Sequence, residues 1–289
     1  WINEFDIDGI RIDAIDEMDY DFIKDLRKVA QSAKPDFWLM GELMDGEYTR
    51  WVNDKMLHSA ANNELQKKFV MAHNHGDYPI IARSVRETND QCPYTKLYTF
   101  VDNHDVSRIY EKLDKLEHRQ LIALLQYTLY GIPALYCGSE FTSHKLQKNE
   151  EDELSRIPLK LSDYKNAYEQ DEITHLHCLL GRANQQFSEL FFGHYQEIMV
   201  SDKQYVFARV LRKKAILVAV NCDDSPLQLE IPLEGHAAKA INLLDAAINW
   251  ENELKAGLDV SRCAQLQIKD SVLQLELAAN SGKMIRITG

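Results

Sequence analysis

The stretch of sequence that decides the fold is DGIRIDAID, residues 8–16. Its apolar and polar side chains alternate with the two-residue period of a β-strand, so Ile10 and Ile12 share one face while Arg11 and Asp13 share the other. We predict a strand over residues 5–12 whose isoleucines pack against outer helices. Arg11 and Asp13 would then point to the inner face of the sheet that contains this strand.

Strand and helix patterns alternate through residues 1–190. Asp19 is placed to cap a helix that Pro35 stops, and its predicted apolar face comprises Phe22, Ile23, Leu26, Val29 and Ala30. Further strands are predicted over 37–40, 97–101 and 134–136, and further helices over 63–73, 79–87, 116–130 and 174–188. Such alternation is typical of a parallel sheet with helices outside it.

After about residue 191 the pattern changes to short strands separated by turn-forming clusters such as Asp223-Asp224-Ser225-Pro226. The predicted strands cover 205–211, 215–221, 227–231, 264–268, 271–277 and 284–287. We therefore expect two domains, an α/β domain over residues 1–190 and an all-β sandwich over residues 191–289.

Composition excludes several classes of protein. The 289 residues include 45 acidic and 33 basic side chains, and the net charge of −12 disfavours nucleic acid or an anionic membrane as the main partner. No apolar run approaches the roughly 18 residues of a transmembrane helix. The five cysteines are odd in number and form no CxxC pair, which disfavours a disulfide framework or a zinc site and favours reduced thiols in the cytoplasm.

The chain begins with Trp1 rather than Met, on what reads as the approach to a buried strand. Natural amino termini are more often polar and loose. We therefore expect a truncated chain, which leaves a signal peptide in the parent protein open.

Acidic groups follow each predicted strand of the first domain. Asp13 ends the first, Glu42 the second, His104-Asp105 the third and Glu140 the fourth. An acid after one strand is as readily a cap for the next helix. Four in series favour convergence on one rim of a barrel, where such folds place their active sites.

The first two of these acids are expected to lie close together, as a catalytic pair does. Neighbouring strands lie about 4.8 Å apart, so Asp13 and Glu42 could approach the roughly 5–5.5 Å that separates the carboxyl groups of a retaining glycosidase. Arg11 would keep Asp13 ionised, as a nucleophile requires, although the two could form a buried ion pair only. Crowding and burial would favour protonation of one carboxyl group and make Glu42 the proton donor.

Three motifs in order resemble signatures of the α-amylase superfamily, glycoside hydrolase family 13. They are DGIRIDAID at 8–16, LMGEL at 39–43 and FVDNHD at 100–105, and GIPALYCGSE at 131–140 resembles the last barrel strand of that family. The resemblance implies a partial TIM (β/α)8 barrel, about strands 4–8, followed by the carboxyl-terminal sandwich. It spans nearly the whole chain.

Position by position, the resemblance implies a role for six residues. Asp13 matches the nucleophile, Glu42 the general acid/base, and Asp105 the third carboxylate, which binds sugar hydroxyls and stabilises the transition state. The residues that match substrate-binding or positioning motif positions are Arg11, Asn103 and His104. For Glu140 we favour a structural role.

The sequence departs from the family in two places. Asp16 and Glu17 stand where many α-amylases have Lys-His, and an acid at the second position is similar to the neopullulanase and cyclomaltodextrinase branch. The family's first signature, an aspartate followed by Asn-His on the third strand, has no counterpart. A barrel that lacks strands one to three exposes sheet edges, so we expect the isolated chain to be unstable or to form a homo-oligomer.

The resemblance implies a retaining α-glucan hydrolase that cleaves α-1,4 bonds of maltodextrins through a covalent glucosyl-Asp intermediate, with α-1,6 bonds left open. A transglycosylase or a sugar phosphorylase would use the same residues, and an inactive glucan-binding remnant is the alternative from another class. No cofactor is implied. Asp6-Ile7-Asp8-Gly9 is similar to the start of a calcium loop, but the later ligands are absent, so calcium stays an option for the parent enzyme only.

Some weaker signals have a functional and a structural interpretation. His73 and His75 could be metal ligands, but a polar turn before Gly76 is the simpler interpretation. Trp51, Tyr78 and Tyr110 could stack on sugar rings, yet each is more readily a packing residue. The acidic run at 150–153 is predicted to be a solvated loop.

Overall fold

The structure is a computed structural model that describes residues 1–44, 46–93, 95–141, 159–233, 239–248 and 257–289. The acidic run at 150–153 lies outside these residues. The helices are α1 Ile2–Phe5, α2 Tyr20–Ala33, α3 Tyr48–Trp51, α4 Asn63–His75, α5 Tyr78–Gln91, α6 Ile109–Lys112, α7 His118–Thr128, α8 Ala167–Gln170, α9 Glu172–Gln186 and α10 Ser188–Phe192. The strands are β1 Gly9–Ile12, β2 Trp38–Gly41, β3 Ser59–Ala60, β4 Tyr98–Thr99, β5 Ile132–Pro133, β6 His194–Val200, β7 Gln204–Leu211, β8 Lys214–Asn221, β9 Leu227–Pro232, β10 Lys239–Asn242, β11 Ala247–Ile248, β12 Leu258–Asp259, β13 Ile268–Lys269, β14 Val272–Leu277 and β15 Ser281–Thr288.

The first five strands are parallel neighbours in chain order. β1 pairs with β2 and β2 with β3, a bridge joins Ala61 to Tyr98 of β4, and β4 pairs with β5. The register places Arg11 opposite Met40 and Ile12 opposite Gly41. All five strands therefore end at one common edge.

The two faces of these strands differ as the alternation predicts. Ile12 and Leu39 belong to a buried cluster that includes Ile23 and Ala30 of α2. On the opposite face, the face of Arg11, Met40 packs with Trp38 of its own strand and with residues in or directly after the next strands, namely Ala61, Tyr98, Phe100 and Ala134. The prediction that the isoleucines face the helices is confirmed.

Helix α2 begins at the predicted cap. The Asp19 carboxylate accepts the backbone N–H groups of Asp21 and Phe22, each at 2.9 Å, so it occupies donors that have no partner within the helix. The predicted apolar face is only partly correct. Phe22 and Val29 are 56% and 67% exposed, because the buried side of the helix lies along Ile23 and Ala30.

Two predicted strands are misplaced, and one strand was not predicted. Residues 2–5 are helical and Asp6 has a φ of 49°, so β1 starts only at Gly9. In the segment between them, the carboxylates of Asp6 and Asp8 form ion pairs with Lys34 at 2.8 and 2.6 Å. Strand β3 was not predicted, because it has two residues, Ser59 and Ala60, and no apolar period. β5 lies at 132–133 rather than 134–136.

The β-rich carboxyl-terminal region is confirmed. Its larger sheet is antiparallel, in the order β10-β15-β8-β7-β6, and a smaller sheet has the order β13-β14-β9. One buried cluster joins the two sheets through Leu217, Ile285, Leu273 and Leu275. On its other side the larger sheet shares a second buried cluster with helices α7 and α9, which packs the β-rich region against the helical region.

Candidate active site

Arg11 binds the two carboxylates that follow β1 and β2. Its Nη1 lies 3.0 Å from Oδ1 of Asp13, and its Nη2 lies 2.8 Å from Oε1 of Glu42. The two acids therefore meet on one guanidinium group, whose planar fork suits carboxylate oxygens. Their exposure differs, because the side chain of Asp13 is 77% exposed and that of Glu42 is 15% exposed.

The backbone after β1 holds this arrangement in place. The N–H of Glu42 donates to the Ile12 carbonyl at 2.8 Å, and the Glu42 carbonyl accepts from the N–H of Ile15 at 3.0 Å. Between them Ala14 has a φ of 42°, in the left-handed region that a residue with a Cβ adopts at a cost. The turn lets the chain leave β1 sharply and leaves Asp13 at the strand edge.

Asn103, His104 and Asp105 form a second group after β4. The side-chain oxygen of Asn103 accepts the N–H groups of Asp105 at 2.8 Å and of Val106 at 3.0 Å, which closes a tight turn. Nε2 of His104 lies 3.0 Å from Oδ2 of Asp105, and both side chains are partly exposed. Asn103 thus shapes the loop that presents the other two residues.

Asp102 lies directly before this group, and no role was predicted for it from the sequence. Its side chain is 1% exposed and accepts the Ile109 N–H at 2.9 Å, while the Ser139 hydroxyl lies 2.8 and 2.9 Å from its two oxygens. Arg108 donates to the same hydroxyl at 2.9 Å. Burial raises the pKa of Asp102, and the Ile109 N–H, Ser139 and Arg108 oppose that shift. Asp102 therefore ties the loop after β4 to the loop after β5.

Glu140 has local partners. Its Oε2 accepts the N–H of Gly138 at 2.6 Å, and its backbone carbonyl accepts the hydroxyl of Thr174 at 2.7 Å. The carboxylate holds its own turn, which agrees with the structural role that we expected.

Of the aromatic residues considered for sugar contact, Trp51 and Tyr78 are buried in the core, at 3% and 0% exposure. Trp38 and Tyr98 are partly buried on the face of the sheet that carries Arg11, and the sequence did not single them out. Burial raises the pKa of the Tyr98 phenol, and the nearby Arg11 cation opposes this shift.

Residues 1–175 match the family model described as "Alpha amylase, catalytic domain". The chain belongs to the alpha-amylase family. The five parallel strands and their acidic edge fall within the matched residues.

Relatives within the alpha-amylase family include an intracellular maltogenic amylase of Bacillus subtilis, 24% identical over 270 residues, which covers 88% of this chain and 41% of the relative. A cyclomaltodextrinase of Geobacillus thermopakistaniensis is 22% identical over 256 residues, with 84% of this chain and 42% of the relative covered. The chain therefore spans about two fifths of the length of these relatives.

Solved structures of the alpha-amylase family share the fold. A cyclomaltodextrinase superposes with a TM-score of 0.80 at 18% identity, covering 99% of this chain and 46% of the other. An Anoxybacillus alpha-amylase has a TM-score of 0.78 at 19% identity, covering 100% of this chain and 60% of the other. At this level of identity the likeness concerns the fold alone.

The two histidines considered as metal ligands do not form a metal site with other described residues. His73 and His75 lie in the last turn of α4 rather than in a polar turn, and His73 is buried. Within the described residues, no group of three or more His, Cys, Asp or Glu side chains is arranged to hold a metal ion. The helices in the same residues are each too short or too polar to cross a membrane.

Proposed function

We propose that this chain carries the catalytic carboxylates of a retaining α-glucan hydrolase that acts on α-1,4 bonds of maltodextrins, with α-1,6 bonds as a second substrate class. The observation that carries the proposal is the contact of one guanidinium, that of Arg11, with both Asp13 and Glu42. Two carboxylates on adjacent strand ends fit the short separation of the retaining mechanism. The amylase and cyclomaltodextrinase names of the relatives support the choice of substrate.

In the proposed reaction, Asp13 attacks the anomeric carbon while Glu42 protonates the departing glycosidic oxygen. A covalent glucosyl-Asp13 ester forms, and a water molecule that Glu42 deprotonates then releases the sugar with its configuration retained. Proton transfer of this kind contributes about 10²–10⁴-fold to the rate. Because Glu42 contacts Arg11 in this structure, we infer that Glu42 leaves the guanidinium when it takes up its proton, while Arg11 stays with Asp13.

The group after β4 would act on the substrate. We propose that Asp105 accepts sugar hydroxyl groups and stabilises the oxocarbenium-like transition state, with His104 beside it as a further donor. Asn103 would bind substrate indirectly, through the loop turn that it closes. Asp102 would be a positioning residue, because its buried contacts fix the start of that loop.

The same proposal covers the architecture. We assign the five parallel strands to strands four to eight of a (β/α)8 barrel, with the domains at 1–190 and 191–289. The continuous order of β1 to β5 and the common edge of their acids support this assignment. Among the described residues β1 pairs with β2 alone, and we propose that its other side can bind a second copy of the chain. The word intracellular in the names of two relatives supports a cytoplasmic location.

Hydrolysis of a chromogenic maltoside tests the function, and azide rescue tests the roles. We expect Asp13→Ala and Glu42→Ala to lose turnover. Azide should then restore product release in both variants, giving a glycosyl azide of inverted configuration with Asp13→Ala and of retained configuration with Glu42→Ala, because azide replaces the nucleophile in one and the activated water in the other. Asp25→Asn is the matched control, since Asp25 forms an exposed pair with Lys28 on α2. Full turnover in the Asp13→Ala variant would refute the proposal, and maltodextrin binding without any turnover by the wild type would favour an inactive glucan-binding remnant.

A transglycosylase is the second candidate, favoured by the similarity to a cyclomaltodextrin glucanotransferase of Bacillus sp. (strain 38-2), 26% identical over 230 residues, 76% of this chain and 31% of the relative. The two activities share their first step and differ in whether water or a sugar takes the glucosyl group. Product analysis with and without added maltose separates them, because a transglycosylase makes longer products only when the acceptor is present. Phosphate in place of maltose tests a phosphorylase in the same way.

A further inference from the structure

The loop that presents His104 and Asp105 has a buried charged residue at each end. Asp102 precedes residues 103–107 and is 1% exposed, and Arg108 follows them and is 2% exposed. Asp105 itself is exposed. Because a buried charged group needs hydrogen-bond partners, the contacts of Asp102 and Arg108 decide where this loop is fixed.

The two ends of the loop meet at one atom, the hydroxyl oxygen of Ser139. It lies 2.8 and 2.9 Å from the two carboxylate oxygens of Asp102, and Nη1 of Arg108 donates to it at 2.9 Å. A serine hydroxyl has one proton and two lone pairs, so it donates to the carboxylate while it accepts from the guanidinium. Ser139 is itself buried, which shields these bonds from water.

Ser139 is held in place by the turn that follows β5. Its N–H donates to the carbonyl of Tyr136 at 3.0 Å, and the N–H of Gly138 donates to Oε2 of Glu140 at 2.6 Å. Gly138 has a φ of 98°, which glycine adopts without strain. The hydroxyl of Thr174, in α9, donates to the Glu140 carbonyl at 2.7 Å. The turn that carries Ser139 is therefore fixed to both β5 and α9.

Contacts within the loop connect Asp105 to its two fixed ends. Oδ2 of Asp102 accepts the N–H of Ile109 at 2.9 Å, which joins the start of the loop to its far end. Asn103, the residue after Asp102, accepts the N–H of Asp105 at 2.8 Å. A displacement of either end of residues 103–107 would therefore move the carboxylate of Asp105.

We propose that Ser139 is a positioning residue, which sets the place of Asp105 by holding both ends of its loop to the turn after β5. The inference rests on the function proposed above, in which Asp105 binds sugar hydroxyl groups and stabilises the transition state. Such a group acts best when it is held in position before the reaction begins. Loss of the Ser139 hydroxyl would remove a donor to Asp102 and an acceptor for Arg108 together, so the loop would sample other positions.

Two features of the structure allow this hydroxyl to be tested alone. The guanidinium carbon of Arg108 lies 4.2 Å from the ring centroid of Tyr136, and this contact keeps the two loops packed when the hydroxyl is removed. A cavity of about 10 Å³, the size of a water molecule, borders Ser139 and is lined by Val101 and Ile109 among others. Threonine can therefore replace Ser139, because its extra methyl group has space beside it.

Hydrogen–deuterium exchange of residues 103–109, followed by mass spectrometry, tests the hold on the loop. Ser139→Ala should speed exchange of these backbone amides about tenfold, the effect of one lost buried hydrogen bond. Ser139→Thr keeps the hydroxyl and should exchange at the wild-type rate. Ser84→Ala is the matched control, since Ser84 is a buried serine of α5 whose hydroxyl accepts from Lys68 at 3.2 Å. If Ser139→Ala does not fold, Ser139→Cys replaces it, because a thiol is a much weaker donor and acceptor.

Kinetics of the same variants test the link to Asp105. With a chromogenic maltoside, Ser139→Ala should lower kcat about 10–100-fold with little change in KM, and Ser139→Thr should restore kcat. In an Asp105→Asn background the same Ser139→Ala change should have no further effect, because the group that it positions is already altered. An equal loss in both backgrounds would show that Ser139 acts independently of Asp105 and would overturn the proposal.

The exchange measurement separates this proposal from the function of the site. Wild-type exchange in Ser139→Ala, or equally fast exchange in Ser139→Ala and Ser139→Thr, overturns the role of Ser139 whatever the turnover. If the exchange results are as expected but the wild type shows no turnover, the proposed function fails and the hold of Ser139 on the loop is still supported.

Discussion

Replacing His73 with glutamine should remove part of the acid sensitivity of this fold. His73 lies in α4 at 2% exposure, its Nδ1 lies 2.7 Å from the Phe69 carbonyl, and its Nε2 lies 3.2 Å from the Tyr78 hydroxyl. The carbonyl can only accept, so Nδ1 carries the proton and Nε2 accepts from the tyrosine. Burial lowers the pKa of His73 to about 3, and the neighbouring His118 adds to the shift.

The size of the effect follows from the difference between the folded and unfolded states. An unfolded His73 takes up a proton near pH 6.5, whereas the folded one does so only near pH 3. The stability that neutral His73 contributes is therefore complete above pH 6.5 and is lost as the pH falls towards 3, at about 1.4 kcal/mol per pH unit. Between pH 7 and pH 5 the loss amounts to about 2 kcal/mol.

Urea unfolding at pH 7, 6 and 5 measures this loss. Burial also lowers the pKa of His177, to about 4, so this residue too makes the fold less stable as the pH falls. Because His177 is present in every variant, its effect cancels when the stability losses of two variants are compared. His75→Gln is the matched control, because His75 is exposed in the same helical turn. We expect the His73→Gln variant to lose about 2 kcal/mol less than the control between pH 7 and pH 5. Equal losses in the two variants would refute the reasoning, even if His73→Gln is less stable at pH 7.

Two further predictions concern the site and the sheet. Arg11→Gln should lower kcat/KM for a chromogenic maltoside about 10²–10³-fold, because it removes a preorganised donor shared by both carboxylates; turnover at the wild-type rate would contradict this. Gly131→Ala should destabilise the fold by about 1–3 kcal/mol in urea unfolding, because its Cβ would contact the hydroxyl of Thr99 and lie 3.1 Å from the carbonyl of Leu97. Gly181→Ala is the control, since its Cβ would meet nothing closer than 3.9 Å and alanine favours the helix; equal stability of the two variants would show that the close approach at Gly131 is not constrained.

The elements that the sequence predicts well are those with a strong local signal. The alternation in DGIRIDAID places Ile12 in the core and Arg11 on the opposite face, and Asp19 caps α2 as expected. Strand β3 has no such signal, because its two residues are held by pairing with β2 and by the bridge from Ala61 to β4. A pairing between distant segments is not visible in the periodicity of either one.

The candidate site was also predicted only in part, because some of its contacts join segments that are distant in sequence. The positions of Asp13 and Glu42 follow from the strand ends, but their shared contact with Arg11 depends on the register between β1 and β2. Asp102 and Asp105 are the same residue type three positions apart, yet one is buried in contact with Ser139 and the other is partly exposed. The motif position singles out Asp105, whereas the structural role of Asp102 is visible only from the packing of the loop after β5.

The identity of the residue that bonds to the sugar tests the central claim most directly. A fluorinated glucosyl fluoride that traps the covalent intermediate, followed by proteolysis and mass spectrometry, locates that bond. We predict the adduct on the carboxylate of Asp13, in the peptide that contains DGIRIDAID. An adduct on another residue, or turnover of the substrate with inverted configuration and no adduct, would contradict the account.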